Sequence, residues 1–158
     1  MEQDSKKSGS SNENLNPMFY WKWVLKNRGG RITPRAITID LDYNTIKQLV
    51  KNHPEVDFSV FDTDLEEESP LFRNVLFCER GRKTDTEYYT MLSEADYFYS
   101  NDNRLNLEAG LCGVKSCSTI EELEANLQSA RVLTKIERIE NWESAKNLLT
   151  RKNSYVIL

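Results

Sequence analysis

The stretch RAITIDLDYNTIKQLVKNHPEVDFSVF, residues 35–61, decides the fold. Arg35 to Leu41 is β-branched and apolar and follows a proline, which predicts a strand. Asp42 is a helix-capping residue, and Ile46, Leu49 and Val50 recur at helical intervals until His53-Pro54 stops the helix. Val56 to Phe61 predicts a second strand. A strand, a helix and a strand in so short a stretch form a βαβ unit, which calls for a parallel sheet with helices on its faces.

The alternation continues outward. An acidic loop, Asp62 to Ser69, leads to a strand over Asn74 to Cys78. Thr84 and Glu87 have capping-box spacing ahead of Tyr88, Met91, Leu92 and Ala95. Tyr97 to Tyr99 is a fourth strand, and Leu105 to Leu111 a short helix that Gly113 ends. Val114 to Ser118 is a fifth strand, and Thr119 with Glu122 repeats the capping spacing before Leu123, Leu127 and Ala130. The last helix is expected from Trp142 to about Thr150 with Asn141 as cap, and Tyr155 to Leu158 as a small final strand. The fold class is α/β: a single Rossmann-like three-layer domain over 34–158 with a mostly parallel sheet. Before it stand a polar tail over 1–17, expected to be disordered, and an aromatic and basic arm over 18–33. The arm carries Phe19, Trp21 and Trp23, which pack on the core or dock a protein partner.

Composition narrows the function classes. The 158 residues suit one domain, and the 39% apolar and 29% charged content excludes a rod or a wholly disordered chain. With 21 basic against 25 acidic residues, a general nucleic-acid binder is not expected. No apolar run reaches the roughly 18 residues of a spanning helix, and no apolar stretch follows the charged start, so the expected location is cytoplasmic. Cys78, Cys112 and Cys117 are odd in number and lack CxxC spacing, which fits small core residues in a reducing compartment.

Short catalytic motifs are absent: there is no P-loop, GxGxxG, GxSxG or HExxH. The one histidine, His53, reads as a surface residue at a helix end. Asp40 and Asp42 flank Leu41 at a strand end. In the simpler reading Asp42 caps the next helix and Asp40 faces solvent; in the functional one they hold a cation or supply a nucleophile and an acid. The five carboxylates between Asp62 and Glu68 read as a solvated loop.

Ala95 to Ser118, ADYFYSNDNRLNLEAGLCGVKSCS, is the most informative stretch. Its strand, loop and Asn106-Leu107-Glu108-Ala109…Cys112-Gly113-Val114 resemble the "aD.f..S" and "lEAmacGvPvv" patterns of the C-terminal, donor-binding half of GT-B glycosyltransferases. Leu49 to Phe61, Asn74 to Phe77 and Tyr88 to Leu92 resemble earlier strands and a helix of the same half, so the likeness covers about 36–130. The resemblance implies a nucleotide-sugar-binding domain of a transferase. Glu108 would hydrogen-bond the donor ribose, and Lys47 would neutralise phosphate. The amides opening the short helix would face the diphosphate, with Asn106, Ser100 and Asp102 around the donor. The sequence departs from the pattern at three places. Ser100 stands near the family's earlier acidic position, Asp40-Leu41-Asp42 replaces a Gly-Arg, and Lys115 replaces the proline. The chain has no room for the acceptor-binding domain, so it is expected to be a subunit, a fragment or a non-catalytic relative, its site completed by a second domain or partner.

The same residues also resemble HAD-type Mg²⁺-dependent phosphatases. Asp40 and Asp42, then Thr63, Lys83 and Asp102 occur in that family's order, and Lys83 to Tyr88 resembles its "KpdpeiY". This implies Asp40 as nucleophile, Asp42 as acid/base and Mg²⁺ between Asp40 and Asp102, the only cofactor expected under either resemblance. A non-enzymatic interaction module is the third reading.

Overall fold

The computed structural model describes residues 32–67 and 69–157, so the tail over 1–17 and nearly all of the aromatic arm lie outside the described residues. Five parallel strands form one sheet: β1 (Arg35–Ile39), β2 (Asp57–Phe61), β3 (Val75–Cys78), β4 (Tyr97–Tyr99) and β5 (Lys115–Cys117). The helices between and after them are α1 (Tyr43–Asn52), α2 (Asp85–Glu94), α3 (Asn103–Leu111), α4 (Ile120–Leu127) and α5 (Lys135–Ile157). The strand order is β3-β2-β1-β4-β5. This is the doubly wound α/β arrangement expected from the sequence, and its strand order reverses between β1 and β4.

Side-chain alternation along the strands builds two cores. Ile37, Ile39, Phe61 and Phe98 point to one face, under α2, α3 and α5, and meet Leu92, Leu111 and Trp142. Ala36, Phe58, Val60 and Tyr97 point to the other, against Ile46 and Leu49 of α1 and Leu123 and Leu127 of α4. Such two-sided burial explains why the strands are apolar runs rather than alternating ones.

The caps do what the sequence predicts in most places. Asp42 accepts from the Thr45 amide at 3.2 Å and its hydroxyl at 2.6 Å. Thr84 and Glu87 form a reciprocal capping box. At α4, Thr119 accepts from the Glu122 amide, while Glu122 reaches back to the Ser118 amide instead of that of Thr119. Gly113 ends α3 at φ 86°, a left-handed conformation that glycine adopts without a Cβ penalty.

Three expectations are corrected. The last helix begins at Lys135, not Trp142: Thr134 and Glu137 exchange capping bonds at 2.8 and 3.1 Å, and Asn141 lies inside the helix, donating to the Gly113 carbonyl. The same helix runs to Ile157, so the strand expected from Tyr155 does not form through Ile157. His53 caps α1 as expected but is buried, with Nε2 2.7 Å from a Glu124 carboxylate oxygen of α4. It joins the two helices of one layer. At the same, amino-terminal end of the strands, the buried Asp96 accepts from the amides of Arg35 and Leu133 at 2.9 Å each and pairs with Arg138 of α5.

Candidate functional site

Ligands of such sheets sit outside the carboxyl ends of the strands, at the point where strand order reverses. In this chain that edge is built from Asp40–Asp42 after β1, Asp62 and Thr63 after β2, Glu79 and Arg80 after β3, and Ser100–Asp102 after β4.

Arg80 organises three of these ends. Its Nε donates to Asp62 Oδ2 at 2.8 Å, its backbone amide to Asp62 Oδ1 at 3.0 Å, and its guanidinium lies 3.8 Å from Asp40. Both aspartates adopt positive φ, 61° at Asp40 and 64° at Asp62. Non-glycine residues hold that conformation at a cost of order 1 kcal/mol or more, and such strain concentrates at functional sites. It turns each chain sharply out of its strand: Asp62 then bonds Arg80, and the Asp40 carboxylate is left 58% exposed. Thr63 locks the two turns together by donating to the Leu41 carbonyl at 2.5 Å.

On the α2–α3 side stand Tyr88 and Glu108. Glu108 is 7% exposed, and Arg104, one turn earlier on α3, lies 3.5 Å from its Oε2. Burial pushes the Glu108 carboxyl up to about 7; Arg104 opposes this, and Asp85 and Asp102 add to it. The Tyr88 hydroxyl is buried and bonds no described residue. Burial, then the nearby Glu108 charge, raises it well above its usual value, while Arg80 acts the other way. Its ring packs edge-on against Phe61 at 5.8 Å. A phenol that bonds no described residue and the guanidinium groups of Arg80 and Arg104 therefore lie within electrostatic reach of the Glu108 carboxyl. Together they can recognise hydroxyls and anionic groups.

The other sequence candidates fall in different places. Asn106 is two residues from Glu108, so helical geometry turns it the other way. It donates to the Ser100 carbonyl at 2.6 Å, accepts from the Ser116 hydroxyl at 2.6 Å, and lines a hollow of about 440 Å³ between α3, β5 and α5. Ser100 is buried and accepts from the Asp102 amide at 3.0 Å. Asp102 caps α3 by accepting from the Arg104 and Leu105 amides. Lys47 lies on α1, in the opposite layer from α3, with its ammonium 5.4 Å from the Tyr43 ring. Lys83 lies after the 3₁₀ turn Arg80–Arg82. Asp42 and Asp102 are thus engaged in helix caps. No group of three or more His, Cys, Asp or Glu side chains among the described residues is placed to hold a metal ion.

Sequence reasoning missed Arg80, Asp62 and the Tyr88 hydroxyl. Asp62 was submerged in the acidic run Asp62–Glu68, whose residues 64–67 are indeed exposed. The usable signal was Glu79-Arg80 directly after a buried strand of a parallel sheet, where a charged side chain is positioned toward the ligand edge. Neither the protein-family models nor the curated proteins compared with the chain give a match. No helix among the described residues is long and apolar enough to cross a membrane.

Proposed function

We propose that the chain is a nucleotide-sugar-binding domain similar to the donor half of GT-B glycosyltransferases, with Glu108 as the residue that receives the donor ribose. Supporting this reading are the β3-β2-β1-β4-β5 order and the resemblance over Ala95 to Ser118. The observation that carries it is the place of Glu108: a nearly buried carboxylate on the helix after β4, beside Arg104 and within electrostatic reach of Tyr88 and Arg80.

The chemistry follows from that place. A ribose presents two adjacent hydroxyls, and one carboxylate accepts both when ionised. Glu108 starts close to half-protonated at neutral pH, so binding draws it to the charged form and releases a proton. Arg104 supplies the compensating charge. Arg80 is the cation at the strand ends that can meet phosphate, whereas Lys47 lies on α1 in the other layer. Sugar transfer needs a second domain or a partner to bind the acceptor, so the function proposed for this chain alone is donor binding.

A thermal-shift panel of nucleoside diphosphates and their sugar esters tests the reading, since a ligand of the native state raises the melting temperature. The expected result is a rise with one base class that Glu108→Ala abolishes while the unliganded protein still melts cooperatively. A rise that survives Glu108→Ala unchanged, or no rise with any nucleotide, refutes it.

A further inference from the structure

The two edges of the sheet are managed differently. β5 is three residues long and opens with the exposed Lys115, both of which discourage pairing with another strand. β3, Val75-Leu76-Phe77-Cys78, carries no charge and no proline. Leu76 on this edge is 54% exposed, and Leu65 and Leu71 nearby are exposed too. Leu76 also lines two hollows of about 450 and 470 Å³, one toward each end of the strand.

The outward-facing backbone groups of β3 decide what can pair with it. Cys78 accepts from the Asp62 amide, so Leu76 and Cys78 turn their backbone groups to β2, while Val75, Phe77 and Glu79 turn theirs outward. The Val75 amide already donates to the Phe72 carbonyl, and the Glu79 carbonyl accepts from Arg82. What remains along the edge is an acceptor at Val75, a donor and an acceptor at Phe77, and a donor at Glu79, none bonded to a described residue. Reversed about a two-fold axis at Phe77, this series complements itself. Each Phe77 bonds its twin twice, and each Glu79 amide meets the other copy's Val75 carbonyl. The groups already used at Val75 and Glu79 are the ones that would have faced each other.

We propose that β3 pairs antiparallel with β3 of a second copy of this chain, centred on Phe77, joining the two sheets into one. Leu76 then lies opposite Cys78 of the second copy on one face. On the other face the two Phe77 rings meet, each already packed edge-on against its own Phe72 at 5.4 Å. This pairing does not depend on the nucleotide reading.

Sedimentation equilibrium of the full chain at about 100 µM, above the weak end of protein interfaces, tests it. The expected mass is twice 18.4 kDa. Leu76→Lys places a charge on the exposed edge, and Glu79→Pro removes an outward donor together with the exposed Glu79–Arg82 ion pair and draws the backbone in from φ −122°. Each is expected to return the chain to monomer with its circular dichroism and cooperative melting intact. A wild-type monomer at that concentration overturns the proposal. So does a dimer that survives both substitutions, which would place the interface elsewhere, the aromatic arm included.

Discussion

Glu108→Gln isolates the electrostatic cost of the buried carboxylate. Glutamine matches the protonated acid in shape but does not ionise. Burial raises the Glu108 carboxyl from 4.5 to about 7, so the folded state holds this proton more tightly than the unfolded chain. For a raised acid the folded protein is favoured at low pH, and stability falls as pH climbs from 4.5 through 7. At 1.36 kcal/mol per pH unit, the full interval is worth about 3 kcal/mol, of which about 2 to 3 kcal/mol is lost between pH 5 and pH 8. Urea unfolding of wild type and Glu108→Gln at both pH values reads this directly. The two proteins are expected to differ little at pH 5. At pH 8 the variant is expected to be more stable by about 2 kcal/mol or more, a melting difference of roughly 5–10 °C for a chain of this size. A stability difference that is the same at both pH values would refute the reasoning, because the carboxyl would then ionise as freely in the fold as in the unfolded chain.

Further predictions concern the frame around that residue. Gly110→Ala adds a Cβ 2.8 Å from the Ala145 Cβ, where α3 and α5 touch; the clash is expected to outweigh the better helix propensity of alanine and cost about 1–2 kcal/mol in urea unfolding. Asn106→Ala removes the bonds to the Ser100 carbonyl and the Ser116 hydroxyl and is expected to destabilise by about 1–3 kcal/mol, mostly through the partners left unsatisfied. Asp40→Gly relieves the left-handed backbone at φ 61° and loses only a 3.8 Å ion pair, so it is expected to be neutral or stabilising by up to about 1 kcal/mol, whereas Asp40→Val destabilises. Under the donor-binding reading Asp40→Gly keeps nucleotide affinity; a Mg²⁺-dependent phosphatase activity that this change abolishes would favour the phosphatase reading instead.

The architecture was readable because each local signal agreed with the next. Pro34 before Arg35–Ile39, Asp42 before Tyr43 and Thr84 with Glu87 are short-range rules, and the structure keeps them. The start of α5 is equally local, a Thr134–Glu137 capping box, but Asn141 before Trp142 offers a second cap residue that the structure does not use. At the other end, the aromatic and β-branched Tyr155-Val156 reads as a strand in isolation, and a helix already running from Lys135 overrides that preference. The site was less legible for a physical reason. Arg80 and Asp62 are 18 residues apart and meet only because β2 and β3 are neighbours. His53 and Glu124 are 71 apart and meet only because α1 and α4 share a face. Charge runs and single histidines carry no information about such meetings. Glu108 is singled out by resemblance alone, as neither helical spacing nor composition marks a carboxylate that the fold will bury.

The central claim rests on one carboxylate, and calorimetric titration of a nucleoside diphosphate and its sugar ester into wild type and Glu108→Ala tests it most directly. The account predicts saturable one-to-one binding to wild type, accompanied by proton release near pH 7, and no measurable heat with the variant. Equal affinities for the two proteins, or no binding to wild type by any nucleotide, would contradict it.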